Sequence, residues 1–375
     1  MRRFLSRHAA PPGVVSGMRW FLFLLLTPAA FGQVDPFAAL DANKDGKLSL
    51  QEVPEAARGH FKGFDANSDG FVTKAEFIAA ASGQTGGDPK AVVETTHLKD
   101  IDYVGAGNPR QKLDLMVAKD PARKKRPLVV FIHGGGWLSG RKEDGMDIVR
   151  LLAATGDYAA ASINYRLSQE AIWPAQIHDC KAAIRFLRAK ADEYGIDPDH
   201  IGVFGLSAGG QLVSVLGTGN DEPLLEGTLG KFAKVSSRVQ CVVNFFGPTD
   251  FLTYYGSDTT MDRLSRANMI SQFLGKKEEI IRENARQASA VTWVTKDDAP
   301  FLTAHGTDDT LVPLSQAEKI HAALGRAKVE SHLIVMKGAG HGFVNAELNK
   351  RIRTFLDKHL RGLPGPISDE PIAVK

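Results

Sequence analysis

Ser207 stands in the run Gly205-Leu206-Ser207-Ala208-Gly209-Gly210, after an apolar stretch at 201–204 and before an apolar helical pattern. A serine hydroxyl is a weak nucleophile until a neighbouring base takes its proton. Small residues on both sides fit a sharp strand-to-helix turn that exposes Oγ and aims the Ala208 N–H at a reacting carbonyl oxygen. Ser214 is a poorer candidate because it falls inside the helical pattern. His341, on the glycine-rich loop Gly338-Ala339-Gly340-His341-Gly342-Phe343, can act as the general base. Most of the eleven histidines read instead as surface or structural groups, His178 among them on a helix. The base needs a carboxylate to fix its tautomer and stabilise its charged form; Asp308 and Asp309 both qualify on chemistry alone. His133-Gly134-Gly135-Gly136-Trp137 follows the apolar run 128–132 and supplies unobstructed backbone amides for an oxyanion hole shared with Ala208. The chemistry of this set is acyl transfer through a covalent acyl-serine.

A second group of residues is rich in oxygen. Asp41, Asn43, Asp45, Lys47, Ser49 and Glu52 are repeated in type by Asp65, Asn67, Asp69, Phe71, Thr73 and Glu76. Both runs fit the EF-hand loop at each diagnostic place. Calcium is a hard cation that takes carboxylate and amide oxygens, a backbone carbonyl (from Lys47 and Phe71), a hydroxyl or its water, and a closing bidentate glutamate. Gly46 and Gly70 allow the sharp turn, and Leu48 and Val72 are placed to zip the two loops into a short β ladder. The loops are close together, with room for one helix around 54–64, and resemble the compact duplicated calcium loops of dockerins. Ca2+ bound here fits a stabilising role or a docking role toward a partner. No zinc-spaced His/Cys cluster is present, so catalytic metal is not expected.

These residues need elements to hold them. From residue 95 onward, strand-like runs at 128–132, 158–163, 201–204, 239–246, 301–304 and 333–336 alternate with helical patterns, the clearest at 175–194. That alternation predicts a mostly parallel sheet of eight strands with helices on both faces, opened by an antiparallel pair at 95–104 and 113–117. Each candidate loop then falls at the carboxyl end of a strand. The expected organisation is a signal peptide over 1–32, a small helical EF-hand pair over 33–82, a linker over 83–94, a catalytic domain over 95–362 and a tail over 363–375. The linker reading rests on the small, glycine-rich composition of 79–87.

Composition sets the remaining limits. The 375 residues are 43% hydrophobic and 24% charged, with a net charge of +3, which is too small for the basic face that nucleic-acid binding needs. The cluster Arg123-Lys124-Lys125-Arg126 reads as a solvated turn. Arg2, Arg3, Arg7 and Arg19 precede a short apolar run at 20–26 and the small-residue exit Ala30-Phe31-Gly32, the plan of an export signal cleaved before Gln33. The run is short for a stable membrane span; an uncleaved anchor is the competing reading. Either Met1 or Met18 serves as the start. Secreted or periplasmic localisation is therefore expected. Cys180 and Cys241 each lie in apolar segments and read equally as a pair or as buried free thiols.

The stretches HGGGW, YRLS, WPAQIHDCKAAIRFLR, IGVFGLSAGG, FGPTDF, HGTDDTLVP and GHGF together resemble the HGGG-type esterase/lipase branch of the α/β-hydrolase fold, most of all its acetylxylan- and feruloyl-esterase-like members. The resemblance covers about 95–361. It implies that Asp309 rather than Asp308 is the acid, that Gly134 and Gly135 join Ala208 as oxyanion donors, and that Ser207, Asp309 and His341 form the triad. It implies a carboxylesterase without organic cofactor, acting on small-molecule or polysaccharide-linked esters. The segment 251–291, with Tyr254, Tyr255, Leu264, Met269, Ile270 and Phe273, reads either as a small lid or as self-packing helices. Trp137 and Trp173 are candidate pocket walls. Two other readings stand beside the esterase: a peptidase of the prolyl-oligopeptidase type, which usually carries HGGP and a propeller, and a calcium-dependent scaffold with an inactive hydrolase domain.

Overall fold

The structure, a computed structural model, describes residues 36–55, 58, 61–83, 92–119, 125–254 and 263–374. The expected signal segment and most of the expected linker lie outside the described residues. No helix among the described residues is long and apolar enough to cross a membrane.

The chain begins with α1 (Pro36–Leu40), β1 (Lys47–Ser49), α2 (Phe61–Phe64), β2 (Phe71–Thr73) and α3 (Lys74–Ala81). As the apolar residues at 48 and 72 predict, β1 and β2 pair antiparallel with Leu48 opposite Val72. Both are buried in a small core with Phe37, Phe61 and Phe77.

The larger part follows as β3 (Thr95–Asp102), β4 (Lys112–Ala118), β5 (Arg126–Ile132), α4 (Met146–Ala154), β6 (Ala159–Ile163), α5 (Ala175–Ala189), α6 (Ala191–Tyr194), β7 (Ile196–Leu206), α7 (Ala208–Thr218) and α8 (Pro223–Glu226). After these come β8 (Cys241–Phe245), α9 (Phe251–Tyr254), α10 (Arg263–Leu274), α11 (Glu278–Ala288), β9 (Phe301–Gly306), α12 (Ser315–Ala327), β10 (Ser331–Lys337), α13 (Ala346–Arg361) and β11 (Ile372–Ala373). The sheet runs β11-β10-β9-β8-β7-β5-β6-β4-β3, and β4 alone is antiparallel to its neighbours. Nine strands stand where eight were expected. Ile372 and Ala373 pair with Met336 and Lys337, so the segment expected as a free tail supplies the edge strand.

Alternate residues of each strand enter opposite cores, as a pleated strand requires. Leu128, Val130 and Ile132 face the core shared with α5, α7 and α12, while Val129 and Phe131 face that of α4 and α13. Cys180 and Cys241 sit in these two different cores. Both are buried free thiols on opposite sides of the sheet, and burial pushes both upward in pKa.

One buried ion pair fixes the exit of the glycine loop after β5. Lys142 Nζ lies 2.8 Å from Asp114 of β4, both side chains 4% exposed, and His97 Nε2 lies 2.9 Å from the same carboxylate. Burial pushes Asp114 upward, but the bonds from Lys142, the Asp100 N–H and His97 together outweigh it and hold the carboxyl below its usual range. The Lys142 backbone is tied in turn to Asn164 Oδ1 (2.6 Å) and Ser162 Oγ (2.6 Å) beyond β6 and within it. Removing one partner of a buried pair leaves an uncompensated charge. Lys142→Met is therefore expected to lower unfolding free energy by about 3–5 kcal/mol in urea titrations, and the further change Asp114→Leu to recover most of that loss.

Candidate functional site

The serine turn is built by close backbone approach. Ser207 has φ 54°, in the left-handed region that a side chain with a Cβ rarely adopts. A Cβ on Gly205 would lie 2.2 Å from the Gly209 carbonyl oxygen, and one on Gly209 would lie 2.0 Å from that of Ile132. Glycines are required here because α7 starts directly against β5 and β7. The Ser207 N–H donates to the Phe245 carbonyl (2.9 Å), which locks the turn to β8.

The candidate acid and base arrive from β9 and β10, the next strands along the sheet. His341 Nε2 is 2.9 Å from Ser207 Oγ, and its Nδ1 is 2.7 Å from Asp309 Oδ2. Asp309 is buried, and its Oδ1 accepts from the N–H groups of Leu311 and Val312, each at 2.9 Å. Asp308 is exposed, and its carboxylate receives the neighbouring Thr307 hydroxyl instead. Of the two aspartates, Asp309 is the one that reaches the imidazole.

A second histidine touches the acid, and sequence reasoning missed it. His305 is fully buried; its Nε2–H donates to the Val312 carbonyl (2.8 Å) and lies 3.2 Å from Asp309 Oδ2. Burial pushes the Asp309 carboxyl upward, but the bonds from His305 and His341 prevail and hold it well below the usual carboxylate range. The only sequence signal was the position of His305 one helical turn's spacing before Asp309.

The glycine loop after β5 completes the arrangement. The Gly134 carbonyl accepts from His133 Nδ1 (2.7 Å) and the Gly135 carbonyl from Leu138 N (3.0 Å) and Ser139 N (3.1 Å). The N–H groups of Gly134 and Gly135 donate to nothing among the described residues. Ala208 is the first residue of α7, where an N–H has no intrahelical acceptor. Three amides are therefore available near the serine. His133 anchors this loop: its ring stacks on Tyr165 (centroids 4.3 Å, 15°), and the Tyr165 hydroxyl donates to the His133 carbonyl at 3.1 Å.

Trp137 and Trp173 are both buried; Trp137 is a packing residue, while Trp173 also borders a surface pocket with Ile172, His178 and Leu229. Phe273 stacks on Trp137 (4.2 Å, 10°) and meets Trp173 edge-on at 5.6 Å. Gln211 links Trp137 Nε1 (3.0 Å) to the Ala288 carbonyl (2.9 Å), a bridge no sequence pattern announced. In the segment 251–291, Tyr254, Ile270 and Phe273 are buried in the main core, as self-packing helices require. Met269 reaches over the glycine loop, where a Cβ on Gly136 would stand 2.7 Å from its sulfur. Tyr255 lies outside the described residues, and the Leu264 side chain is not described.

The two oxygen-rich loops have one geometry. Lys44 and Ser68 (φ 59° each) and Gly46 and Gly70 (φ 83° and 85°) turn the backbone identically. Asp41 accepts from the N–H groups of Asp45 and Gly46, as Asp65 does from those of Asp69 and Gly70. Glu52 and Glu76 each bond the hydroxyl of the residue three before, Ser49 and Thr73, at 2.8 Å. Asn43 and Asn67 accept from Asp45 and Asp69 at 2.8 and 2.9 Å. Among the described residues no group of three His, Cys, Asp or Glu side chains gathers as a metal site. Beside the carboxylates each loop offers amide, hydroxyl and carbonyl oxygens, from Asn43, Ser49 and Lys47 and from Asn67, Thr73 and Phe71. That mixed, all-oxygen set on identically turned loops fits a calcium ion.

Residues 113–324 match the BD-FAE family, and residues 34–53 and 60–80 match the EF hand family. Esterase LipC of Mycobacterium tuberculosis is 33% identical over 63% of the chain and 58% of its own length. An arylesterase of Saccharolobus solfataricus is 38% identical over 34% of the chain and 39% of its own length. The chain thus spans between about two fifths and three fifths of these curated relatives. Among solved structures, a truncated carbohydrate esterase from gut microbiota superposes with TM-score 0.63 at 28% identity, covering 74% of this chain and 100% of that one. A bifunctional GH43-CE protein of Bacteroides eggerthii superposes with TM-score 0.63 at 32% identity, covering 70% and 38%.

Burial gives His133 a pH signature. It lowers the imidazole from 6.5 to about 4, which the bond to Gly134 only partly offsets. The neutral ring is favoured in the folded chain, so the unfolded chain binds the extra proton first as pH falls. Its contribution is complete above pH 6.5 and is lost as pH drops toward 4, a loss of about 3 kcal/mol. In urea titrations at pH 7 and pH 4.5, His133→Gln is expected to show a smaller drop in stability than the parent; an equal drop would assign the slope to other groups.

Proposed function

The chain belongs to the BD-FAE family, and on that premise we propose that it is an exported serine carboxylesterase acting on short-chain or carbohydrate-linked acyl esters. The reading is carried by one observation: a continuous hydrogen-bonded relay from Ser207 through His341 to Asp309, with the N–H groups of the glycine loop donating to nothing among the described residues. The carbohydrate-esterase relatives support the substrate class, and the basic and apolar segments of 1–32 support export to the periplasm or medium.

In this mechanism Ser207 Oγ attacks the ester carbonyl carbon as its proton passes to His341 Nε2. The carbonyl electrons move onto oxygen, where the N–H groups of Ala208, Gly134 and Gly135 receive the charge. Collapse breaks the bond to the alkoxy oxygen, which leaves as the alcohol with the proton from His341. Water then loses a proton to the same nitrogen and attacks the acyl-serine, releasing the carboxylic acid and restoring Ser207. Asp309 holds Nδ1–H throughout and stabilises the imidazolium. Calcium, where bound, would be held by Asp41, Asn43, Asp45, Lys47, Ser49 and Glu52 and by Asp65, Asn67, Asp69, Phe71, Thr73 and Glu76, and would supply structural charge neutralisation at the two loops.

The test compares p-nitrophenyl acetate, acetylated xylan and methyl ferulate as substrates of the protein beginning at Gln33. Ser207→Ala and Asp309→Asn are expected to lower kcat by about four orders of magnitude, with Asp308→Asn near the parent rate. Absence of turnover on every ester would defeat the proposal and bring peptide substrates forward. Calorimetry should show calcium uptake, and the N-terminus of exported protein should be Gln33; intracellular protein with Met1 or Met18 intact would contradict export.

A further inference from the structure

The calcium module is joined to the catalytic histidine by a short mechanical path. Glu76 closes the second loop and also opens α3: its Oε2 accepts from Thr73 N and Oγ, each at 2.8 Å, while its own N–H donates to Thr73 Oγ. Glu76 is 3% exposed, and Thr73 is the N-cap of α3. The ligand positions of the loop are therefore the helix cap, and whatever fixes Glu76 fixes the direction of α3.

The far end of α3 abuts α13. Gly83, with φ 70°, lies so close that a Cβ there would stand 1.9 Å from the Asn349 carbonyl oxygen and 2.8 Å from Lys350 N. This is backbone against backbone, with no side chain able to yield. Asn349 is in the first turn of α13, which Asn345 caps by accepting from Leu348 N at 3.1 Å. Three residues separate that cap from His341, and Phe343 among them is wedged between Phe245 (5.5 Å) and Phe246 (5.4 Å).

The catalytic domain does not fill the space beneath this segment. A cavity of about 170 Å³ lies there, walled by Phe245, Val344 and Asn349 on one side and by Leu48, Val72 and Phe77 of the module on the other. Side chains bordering a void lose the contacts they would have had. Beside that void α3 meets α13 directly where Gly83 approaches Asn349, while Phe343 is held by Phe245 and Phe246 of the larger part.

We propose that the calcium module is a positioning clamp for His341: the ion at the second loop fixes Glu76 and α3, and α3 fixes the start of α13 and the loop that precedes it. The proposal rests on the calcium reading above. It gives the apolar face of the module a partner in its own chain, in line with the stabilising alternative to the docking role.

The experiment uses the full mature chain with calcium or with EGTA, following calorimetric calcium uptake, hydrogen exchange by mass spectrometry and ester turnover. Calcium is expected to slow exchange across 342–350 by about tenfold, while amides of β5 and β7 stay unchanged, and its removal to lower kcat by a similar factor with KM nearly constant. Gly83→Val should bind calcium normally yet show the fast exchange and low kcat of the calcium-free parent. Calcium uptake without a local change in exchange or kcat would overturn the clamp and leave the calcium reading intact. No calcium uptake at all would overturn both. A rise in exchange spread evenly over the sheet would also overturn the clamp, since it would mark general destabilisation.

Discussion

Everything at the site depends on how closely α7 can approach the strands beneath it. Ser207 is held at φ 54°, a conformation that costs about 1–3 kcal/mol for a residue with a side chain. It persists because Gly205 and Gly209 let the turn sink to within contact of the β5 and β7 backbones, and because Ser207 N–H is bonded to β8. The parallel sheet is the frame that over-determines the turn. Once Oγ stands at the carboxyl end of β7, the acid and base need only the short loops after β9 and β10, and the amides come from the loop after β5.

The electrostatics follow the same economy of placement. Asp309 is desolvated, which alone would favour its neutral form, yet four N–H donors converge on it and keep it ionised. The histidine of the glycine loop is treated in the opposite way: burial keeps His133 neutral, so it anchors a loop without adding charge beside the amides. Two histidines and one aspartate thus take distinct roles from their surroundings, and only His341 keeps contact with both the nucleophile and the acid.

Much of this was legible in the chain itself, because glycines, a serine elbow and repeated oxygen ligands are local signals with local physical causes. The strand–helix alternation gave the parallel frame, and the match of Leu48 to Val72 gave the pairing of the calcium loops. What was not legible depends on contacts between distant segments. Asp308 and Asp309 are chemically alike, so residue chemistry alone could not choose between them; the resemblance pointed to Asp309, and in the fold it is Asp309 that meets His341. Trp137 looked available for a pocket, but Phe273 stacks on it. Ile372 and Ala373 are too short a strand to announce themselves, and they form one only because β10 leaves an open edge. The packing of Gly83 on Asn349 lies across the expected linker and has no sequence signature at all.

The central claim is that Ser207 is the nucleophile activated by His341. The most direct measurement is intact and peptide mass spectrometry after incubation with a p-nitrophenyl alkylphosphonate, which a charged serine relay attacks with loss of p-nitrophenol. The account predicts one phosphonyl adduct per chain, on the peptide containing Ser207, and none after His341→Ala under the same conditions. An adduct on another residue, or none on the parent protein, would contradict it.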